Sequence, residues 1–215
     1  MSRRLLVLDV DSTLVTDEQI DLLAAHAGTH EQVAAITEAA MRGELDFADS
    51  LRARVAALAG LDAAACTWVR EQLRFTPGAT ELLMQCAARG WPVGLVSGGF
   101  REIVDPLVAD LPITRIQANR LEVVDAVLTG RTIGPIVDRA AKADFLRDFA
   151  AEQQVRMADT IAVGDGANDL DMVAAAGLGV AFMAKPALRA QADLILNGPR
   201  LDELLTHLGD RPLSD

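Results

Sequence analysis

The chain has 215 residues, 51% of them hydrophobic, which is enough to bury one sizeable core or a core with a smaller inserted domain. A formal net charge of −11 and a pI of about 4.7 disfavour nucleic acid or an anionic membrane as a partner. No apolar run approaches the ~18 residues of a membrane span, and the N-terminal MSRR lacks signal-peptide architecture, so we expect a cytoplasmic protein.

The first predicted element is a buried strand at residues 3–10 that ends in two carboxylates. The apolar run LLVL at 5–8 is followed by Asp9 and Asp11, with one residue between them. Side chains two apart on an extended chain point the same way, so these two charges repel each other. A divalent cation that both residues share would relieve this repulsion.

The next 60 residues contain helical patterns and no convincing strand. Thr16 and Gln19 have the spacing of a capping box, which predicts the start of the first helix. Three more helices are expected at about 29–42, 46–59 and 62–74. A helical block inserted after one strand predicts a helical-bundle cap domain at 16–75, carried by a core domain of residues 1–15 and 76–215.

From residue 76 onward, helices and strands alternate. The predicted elements are a helix at 78–89, a strand at 91–99, a helix from about 100, short strands within 113–134 with a turn around Thr129-Gly130, a helix at 139–152, a strand at 159–164, a helix opening at GDGAND, a strand at GLGVAF, a helix at 186–191, a strand at DLILN, and a helix from Leu201 before a frayed tail at 210–215. This alternation predicts an α/β fold with a doubly wound, Rossmann-like parallel sheet. Chemistry in such sheets gathers at the carboxyl ends of the strands.

Polar, turn-forming residues follow two further apolar strands. SGG at 97–99 follows VGLV, and GDGAND at 164–169 follows TIAV. Lys142, one of only two lysines among 20 basic residues, lies near the start of the helix before TIAV. Each group alone has a structural explanation, because these residue types favour turns and helix caps and a helical lysine is usually solvated. All of these groups in one chain, in this order, favour a shared site.

The combined set suits phosphoryl transfer. Three carboxylates offer the hard oxygen ligands that Mg²⁺ prefers, namely Asp9, Asp11 and Asp165. Ser97 and the backbone N–H groups around Gly98 can bind phosphoryl oxygens. Lys142 supplies a compact cation for the charge that develops during transfer. A carboxylate such as Asp9 can then attack phosphorus, because the metal and these donors neutralise the charge of the incoming phosphate.

DVDSTLV at 9–15, SGGF, the isolated Lys142 and GDGANDLDM at 164–172 closely resemble the motifs of the haloacid dehalogenase superfamily of phosphatases. The resemblance covers nearly the whole chain and narrows to the members that hydrolyse phosphoserine, through DEQIDLLA and SLRARVAAL in the cap, ANR at 118–120 and MAKPAL at 183–188. It implies hydrolysis of O-phospho-L-serine to L-serine and phosphate, the last step of serine biosynthesis, with Mg²⁺ as cofactor.

The same resemblance implies a role for each motif residue. Asp9 is the expected nucleophile, and Asp11 the expected general acid and base. Mg²⁺ is expected on the Asp9 carboxylate, the Asp11 backbone carbonyl and Asp165. Asp169 is expected outside the metal's direct ligands, orienting its waters or Lys142.

Residues of the cap are expected to select the substrate. The resemblance places Glu18 on the substrate ammonium and Arg54 on its carboxylate, with Met41 and Phe47 closing over it and Asn168 contacting substrate or phosphate. Phe47 and Arg54 are seven residues apart and so project from one side of a helix. Glu18 could instead simply favour a helix N-terminus, and Arg54 could be a surface arginine.

Two other functions stay open. A related phosphatase or phosphotransferase could use another small phosphomonoester, and a phosphate-receiving signalling domain also has acidic residues, a hydroxyl and a lysine at strand ends. Such receiver domains are about half as long and have no helical insert.

Lys185 is expected at a turn or helix start, and Cys66 and Cys86 as small buried hydrophobic residues. The oligomeric state stays open.

Overall fold

A computed structural model describes residues 3–208. The strands are β1 Leu5–Leu8, β2 Val93–Phe100, β3 Arg115–Asn119, β4 Leu121–Val124, β5 Val127–Thr132, β6 Thr160–Gly164, β7 Leu178–Phe182 and β8 Leu194–Leu196. The helices are α1 Gln19–Ala27, α2 His30–Met41, α3 Phe47–Ala56, α4 Ala64–Gln72, α5 Ala79–Ala88, α6 Arg101–Leu107, α7 Arg139–Glu152, α8 Leu170–Ala175, α9 Pro186–Arg189 and α10 Leu204–His207. The tail predicted at 210–215 and the side chain of Met41 lie outside what the structure describes.

Six strands form a parallel sheet in the order β3-β2-β1-β6-β7-β8, which confirms the predicted doubly wound α/β fold. Leu6 and Leu8 of β1 pack into the hydrophobic cluster on one face, and Leu5 and Val7 into the cluster on the other. This alternation explains why β1 is apolar at every position. The chain reverses its winding direction between β1 and β6, so ligands are expected where these two strands end.

The four predicted helices of the insert, α1 to α4, all lie between β1 and α5. The chain leaves and re-enters the core region at one place, because Val15 and Phe75 form an antiparallel bridge. Two backbone hydrogen bonds, each 2.9 Å long, flank this bridge. Thr16 N donates to Arg74 O, and Thr76 N donates to Leu14 O. A helical insert at this position is the feature that receiver domains lack.

Two local predictions were wrong. Thr16 does not form a capping box with Gln19, since its hydroxyl donates to Asp17 Oδ2 (2.7 Å) and α1 begins only at Gln19. The Gln19 side chain points into the core instead. The turn expected around Thr129-Gly130 lies at Asp125 and Ala126, which adopt φ values of 50° and 63°.

The β4–β5 hairpin is joined to the insert by backbone hydrogen bonds, which the sequence did not indicate. Gly60 N donates to Leu128 O (2.9 Å), and Leu128 N donates to Leu61 O (2.8 Å). Gly130, with a φ of 80°, lies against the C-terminal end of α3, where a Cβ would come within 3.3 Å of Ala56 Cα and within 2.8 Å of Ala59 Cβ just beyond the helix. A glycine is therefore required where the hairpin crosses this helix.

Cys66 and Cys86 are free and buried, as predicted. Burial raises the pKa of the Cys66 thiol to about 11 and that of Cys86 to about 12, which makes both thiols unreactive at neutral pH. Between residues 3 and 208, no helix is long and apolar enough to cross a membrane.

Candidate active site

The ends of three adjacent strands bring the predicted groups together. Asp9 follows β1, Ser97 and Gly98 lie near the end of β2, and Asp165 follows β6. Because β1 pairs with both β2 and β6 in parallel, these ends meet at one edge of the sheet. Lys142, the fourth residue of α7, reaches the same edge of the sheet.

Asp9 and Lys142 form a buried ion pair. Asp9 is 2% exposed, and its Oδ1 accepts hydrogen bonds from Val10 N (2.7 Å) and Lys142 Nζ (2.8 Å). Lys142 is fully buried and also donates to Asp169 Oδ1 at 2.7 Å. The alternative of a solvated Lys142 is thereby excluded, and the Asp9 carboxylate is held in one orientation.

The charges at this pair are set by burial and by their neighbours. Burial, followed by the charge of Asp169, raises the pKa of Asp9 well above its ordinary value, while Lys142 acts in the opposite direction. Burial by itself lowers the pKa of Lys142, but the charges of Asp169 and Asp9 outweigh it and raise that pKa overall. Lys142 is therefore held as an ammonium ion between two carboxylates.

Asp11 lies beside this pair with each oxygen in a different environment. Its Oδ1 accepts from Gln19 N (3.2 Å) and Gln19 Nε2 (2.8 Å), and its Oδ2 accepts from the Ser97 hydroxyl at 3.3 Å. Burial first, and then the charge of Glu18, raises the pKa of Asp11 to about 7. A carboxyl group with this pKa can both give and take a proton near neutral pH.

Three buried carboxylates form a group that could hold a metal ion. One oxygen each of Asp9, Asp165 and Asp169 lies within 4.8 Å of the others. Burial raises the pKa of Asp165 to about 6 and outweighs the ammonium of Lys185, which acts in the opposite direction. Asp169 already accepts three hydrogen bonds, since its Oδ2 takes Asp165 N (3.2 Å) and Gly166 N (3.1 Å) besides the contact of Oδ1 with Lys142.

The Ser97-Gly98-Gly99 segment has the features of an anion site. Ser97 is fully buried, and its Oγ accepts from Gly99 N at 2.8 Å. Phe47 of the insert lies over Gly98, where a Cβ would come within 3.2 Å of the ring. The carbonyl of Gly98 accepts from Asn119 Nδ2 at 2.9 Å. Asn119 was missed as a supporting residue, although the ANR motif at 118–120 was noticed.

Glu18 and Arg54 both face the site from the insert. Glu18 accepts from the Ser12 hydroxyl at 2.7 Å, and Arg54 Nε donates to Ser50 O at 3.3 Å within its own helix. Among residues 3–208, no carboxylate lies within 4.0 Å of the Arg54 guanidinium. Burial lowers the pKa of Arg54, and the charges of Asp21, then Glu18 and Asp11, oppose that shift. The guanidinium is thus partly desolvated and available to an external anion.

Asn168 and Lys185 border the acidic group. Asn168 is half-buried, and its Oδ1 folds over Gly166. Lys185 caps the start of α9 just before Pro186, which confirms the predicted helix start. Lys185 N also donates to Asp165 O at 2.8 Å, and its Nζ lies 3.8 Å from Asp165 Oδ2.

A parallel sheet with a buried aspartate–lysine pair at its strand ends, beneath a helical insert, defines a class of hydrolases. Residues 6–174 match the haloacid dehalogenase-like hydrolase family, and the chain belongs to this family, as predicted.

Its relatives point to one branch of that family. A phosphoserine phosphatase of Mycobacterium tuberculosis is 58% identical over 208 residues. The match covers 97% of this chain and 51% of that protein, so this chain spans about half the length of that relative. A phosphoserine phosphatase of Streptococcus thermophilus is 49% identical over 96% of each chain. The structure of a substrate-bound phosphoserine phosphatase complex superposes with a TM-score of 0.91 at 39% identity, covering 96% of this chain and 99% of that one.

Proposed function

We propose that the chain hydrolyses O-phospho-L-serine to L-serine and phosphate, the last step of serine biosynthesis. The observation that carries this proposal is the buried pair of Asp9, whose carboxylate is oriented by two donors, and Asp11, whose pKa of about 7 suits a proton carrier. The phosphoserine phosphatases among its relatives support the substrate.

In the first step, a carboxylate oxygen of Asp9 forms a bond to phosphorus while the bond between phosphorus and the serine oxygen breaks. Protonated Asp11 gives its proton to the departing oxygen, which leaves as the serine hydroxyl. Lys142, the Ser97 hydroxyl and the N–H groups around Gly98 stabilise charge on the phosphoryl oxygens. The product is an aspartyl-phosphate.

In the second step, the Asp11 carboxylate takes a proton from water. The water oxygen bonds to phosphorus as the bond to Asp9 breaks, which releases phosphate and restores both carboxyl groups. The same residue thus acts as acid and then as base, as a two-step displacement requires.

We infer that Mg²⁺ is the cofactor, held by the Asp9 carboxylate, the Asp11 backbone carbonyl and Asp165. Bound there, Mg²⁺ would neutralise phosphoryl charge as a Lewis acid. The buried carboxylates of Asp9, Asp165 and Asp169 outnumber the side-chain cations beside them, which leaves negative charge for a metal ion to neutralise. Carboxylate oxygens are also the ligands that Mg²⁺ prefers. The three hydrogen bonds that Asp169 already accepts support its role outside the metal's direct ligands.

The insert would provide selectivity. Glu18 is proposed to bind the substrate ammonium, Arg54 its carboxylate and Asn168 the substrate or its phosphate. We also propose that residues 16–75 act as a cap domain over a core of 1–15 and 76–215. The bridge between Val15 and Phe75 supports this division because both crossings lie together.

The test compares Arg54→Ala with Arg52→Ala on the same helix, where Arg52 is exposed and pairs with Asp49 at 2.8 Å. With Mg²⁺ present, kcat/KM is measured for phosphoserine, phosphoethanolamine, a sugar phosphate and 4-nitrophenyl phosphate. Arg54→Ala should lower kcat/KM for phosphoserine by about 10- to 100-fold, because a charged hydrogen bond is lost, and spare 4-nitrophenyl phosphate. Arg52→Ala should change neither.

Two results would contradict this. An equal loss on every ester in Arg54→Ala would make Arg54 a structural residue. Wild-type hydrolysis of phosphoserine no faster than that of phosphoethanolamine or the sugar phosphate would favour a related phosphatase with another substrate.

A further inference from the structure

Gln19, the first residue of α1, is fully buried and links the insert to the segment after β1 and to the end of β2. Its side-chain Nε2 donates to Asp11 Oδ1 at 2.8 Å, and its Oε1 accepts from Phe100 N at 3.1 Å. Its backbone N–H donates to the same Asp11 oxygen at 3.2 Å. The side chain therefore bridges the residue expected to move protons and the end of β2.

The orientation of the Gln19 amide follows from its partners. Phe100 N can only donate, so the amide oxygen must face it and the amide NH₂ must face Asp11. Gly99 leaves the space for this arrangement, since a Cβ there would overlap Gln19 Nε2 and lie 2.6 Å from Asp11 Oδ2.

The two donors from Gln19 make the oxygens of Asp11 unequal. A proton on Oδ1 would point at N–H groups, whereas Oδ2 is approached only by the Ser97 hydroxyl at 3.3 Å within the described part of the chain. We propose that Gln19 is a positioning residue that keeps Oδ1 as an acceptor, so that Oδ2 is the atom that gives and takes the proton. This rests on the proposed role of Asp11 in phosphate ester hydrolysis.

The test uses two aryl esters, phenyl phosphate and 4-nitrophenyl phosphate. Neither ester carries an ammonium or a carboxylate, so Glu18 and Arg54 do not influence the comparison. The departing 4-nitrophenolate needs little protonation, whereas phenolate needs a proton as it leaves. The kcat/KM values report the step in which the leaving group departs, and the ratio between the two esters therefore reports proton donation.

Gln19→Met removes the side-chain donor. It should lower kcat/KM for phenyl phosphate about 10-fold more than for 4-nitrophenyl phosphate, because general acid catalysis would be weakened but not abolished. Gln19→Ala removes the same donor with a smaller side chain, so it should show the same selective loss even if the methionine variant folds poorly. The exposed Gln72→Met is the control and should leave the ratio unchanged.

Equal losses on both esters in a folded variant would mean that Gln19 only supports structure, and unchanged rates would exclude any role; either result overturns the proposal. Failure of the wild type to prefer phosphoserine would overturn the substrate assignment alone, because the aryl pair still reports on Gln19.

Discussion

At the scale of single residues, the site depends on charges removed from water. Lys142 and Asp169 are fully buried and Asp9 nearly so, and the ammonium ion of Lys142 stabilises both carboxylates although these two repel each other. An ammonium ion in such a place is tolerated only with partners at hydrogen-bonding distance. The same arrangement leaves Asp9 oriented and desolvated, which are the conditions a carboxylate nucleophile needs.

Replacing Asp9 by asparagine should abolish turnover while the fold persists. The amide has the same shape but is not a nucleophile, so phosphate release should fall by more than about 10³-fold. Since burial and Asp169 raise the pKa of Asp9, losing its charge also relieves repulsion, and cooperative unfolding in urea should be retained. The control is Asp144→Asn, an exposed position on α7. Near-normal activity of Asp9→Asn would remove Asp9 from its proposed role.

At the scale of elements, the β4–β5 hairpin supports the insert. Its backbone hydrogen bonds to Gly60 and Leu61 tie the α3–α4 connection to a segment that follows β3 of the core sheet. The insert is therefore held both by the crossing at Val15 and Phe75 and by this hairpin. The second attachment limits how α3, which carries Arg54, can move relative to the strand ends.

Alanine substitutions at two glycines test the contact between the β4–β5 hairpin and α3. Gly130 and Gly134 have similar φ values, 80° and 78°, so alanine is strained at both by about 1–2 kcal/mol. Only Gly130 packs against α3, whereas a Cβ at Gly134 meets nothing within 4 Å. Gly130→Ala should therefore lower the free energy of unfolding in urea by roughly 1–3 kcal/mol more than Gly134→Ala. Equal losses would show that the hairpin–helix contact contributes little.

At the scale of the whole molecule, the acidic edge couples stability to pH. In metal-free protein the folded pKa of Asp11 is raised from 3.8 to about 7, and that of Asp165 to about 6. Between pH 3.8 and pH 7 the folded state keeps protons that the unfolded chain has lost. The free energy of unfolding is therefore greatest at the acidic end of this range and falls as pH rises toward 7.

Urea unfolding in EDTA at pH 5 and pH 8 should show this effect. Asp11 alone should account for a loss on the order of 3 kcal/mol as pH rises, and Asp11→Asn should remove that share. Mg²⁺ should raise the midpoint of unfolding at pH 8 more than at pH 5, because it binds ionised carboxylates. A pH dependence identical in the wild type and Asp11→Asn would contradict the assigned shift.

The sequence by itself determined the order of strands and helices and the positions of the chemistry-bearing residues. Strand periodicity, helix periodicity and turn formers are local signals, so helix α7 was predicted at its observed bounds and Asp9, Ser97 and Asp165 were predicted at strand ends. Parallel pairing of β1 with β2 and β6 then brings those ends together. Helix α1 was misplaced because a capping-box spacing does not reveal where Gln19 points.

Only the tertiary structure decided which atoms hold one another. The contacts from Asp11 to Ser97 and from Gln19 to Phe100 join residues 86 and 81 positions apart, and the hairpin meets α3 across a similar distance along the chain. Such contacts depend on how finished elements pack, and no local spacing encodes them. The sequence therefore singled out Asp9, Asp11 and Lys142, while packing decided that the two oxygens of Asp11 have different hydrogen-bond partners.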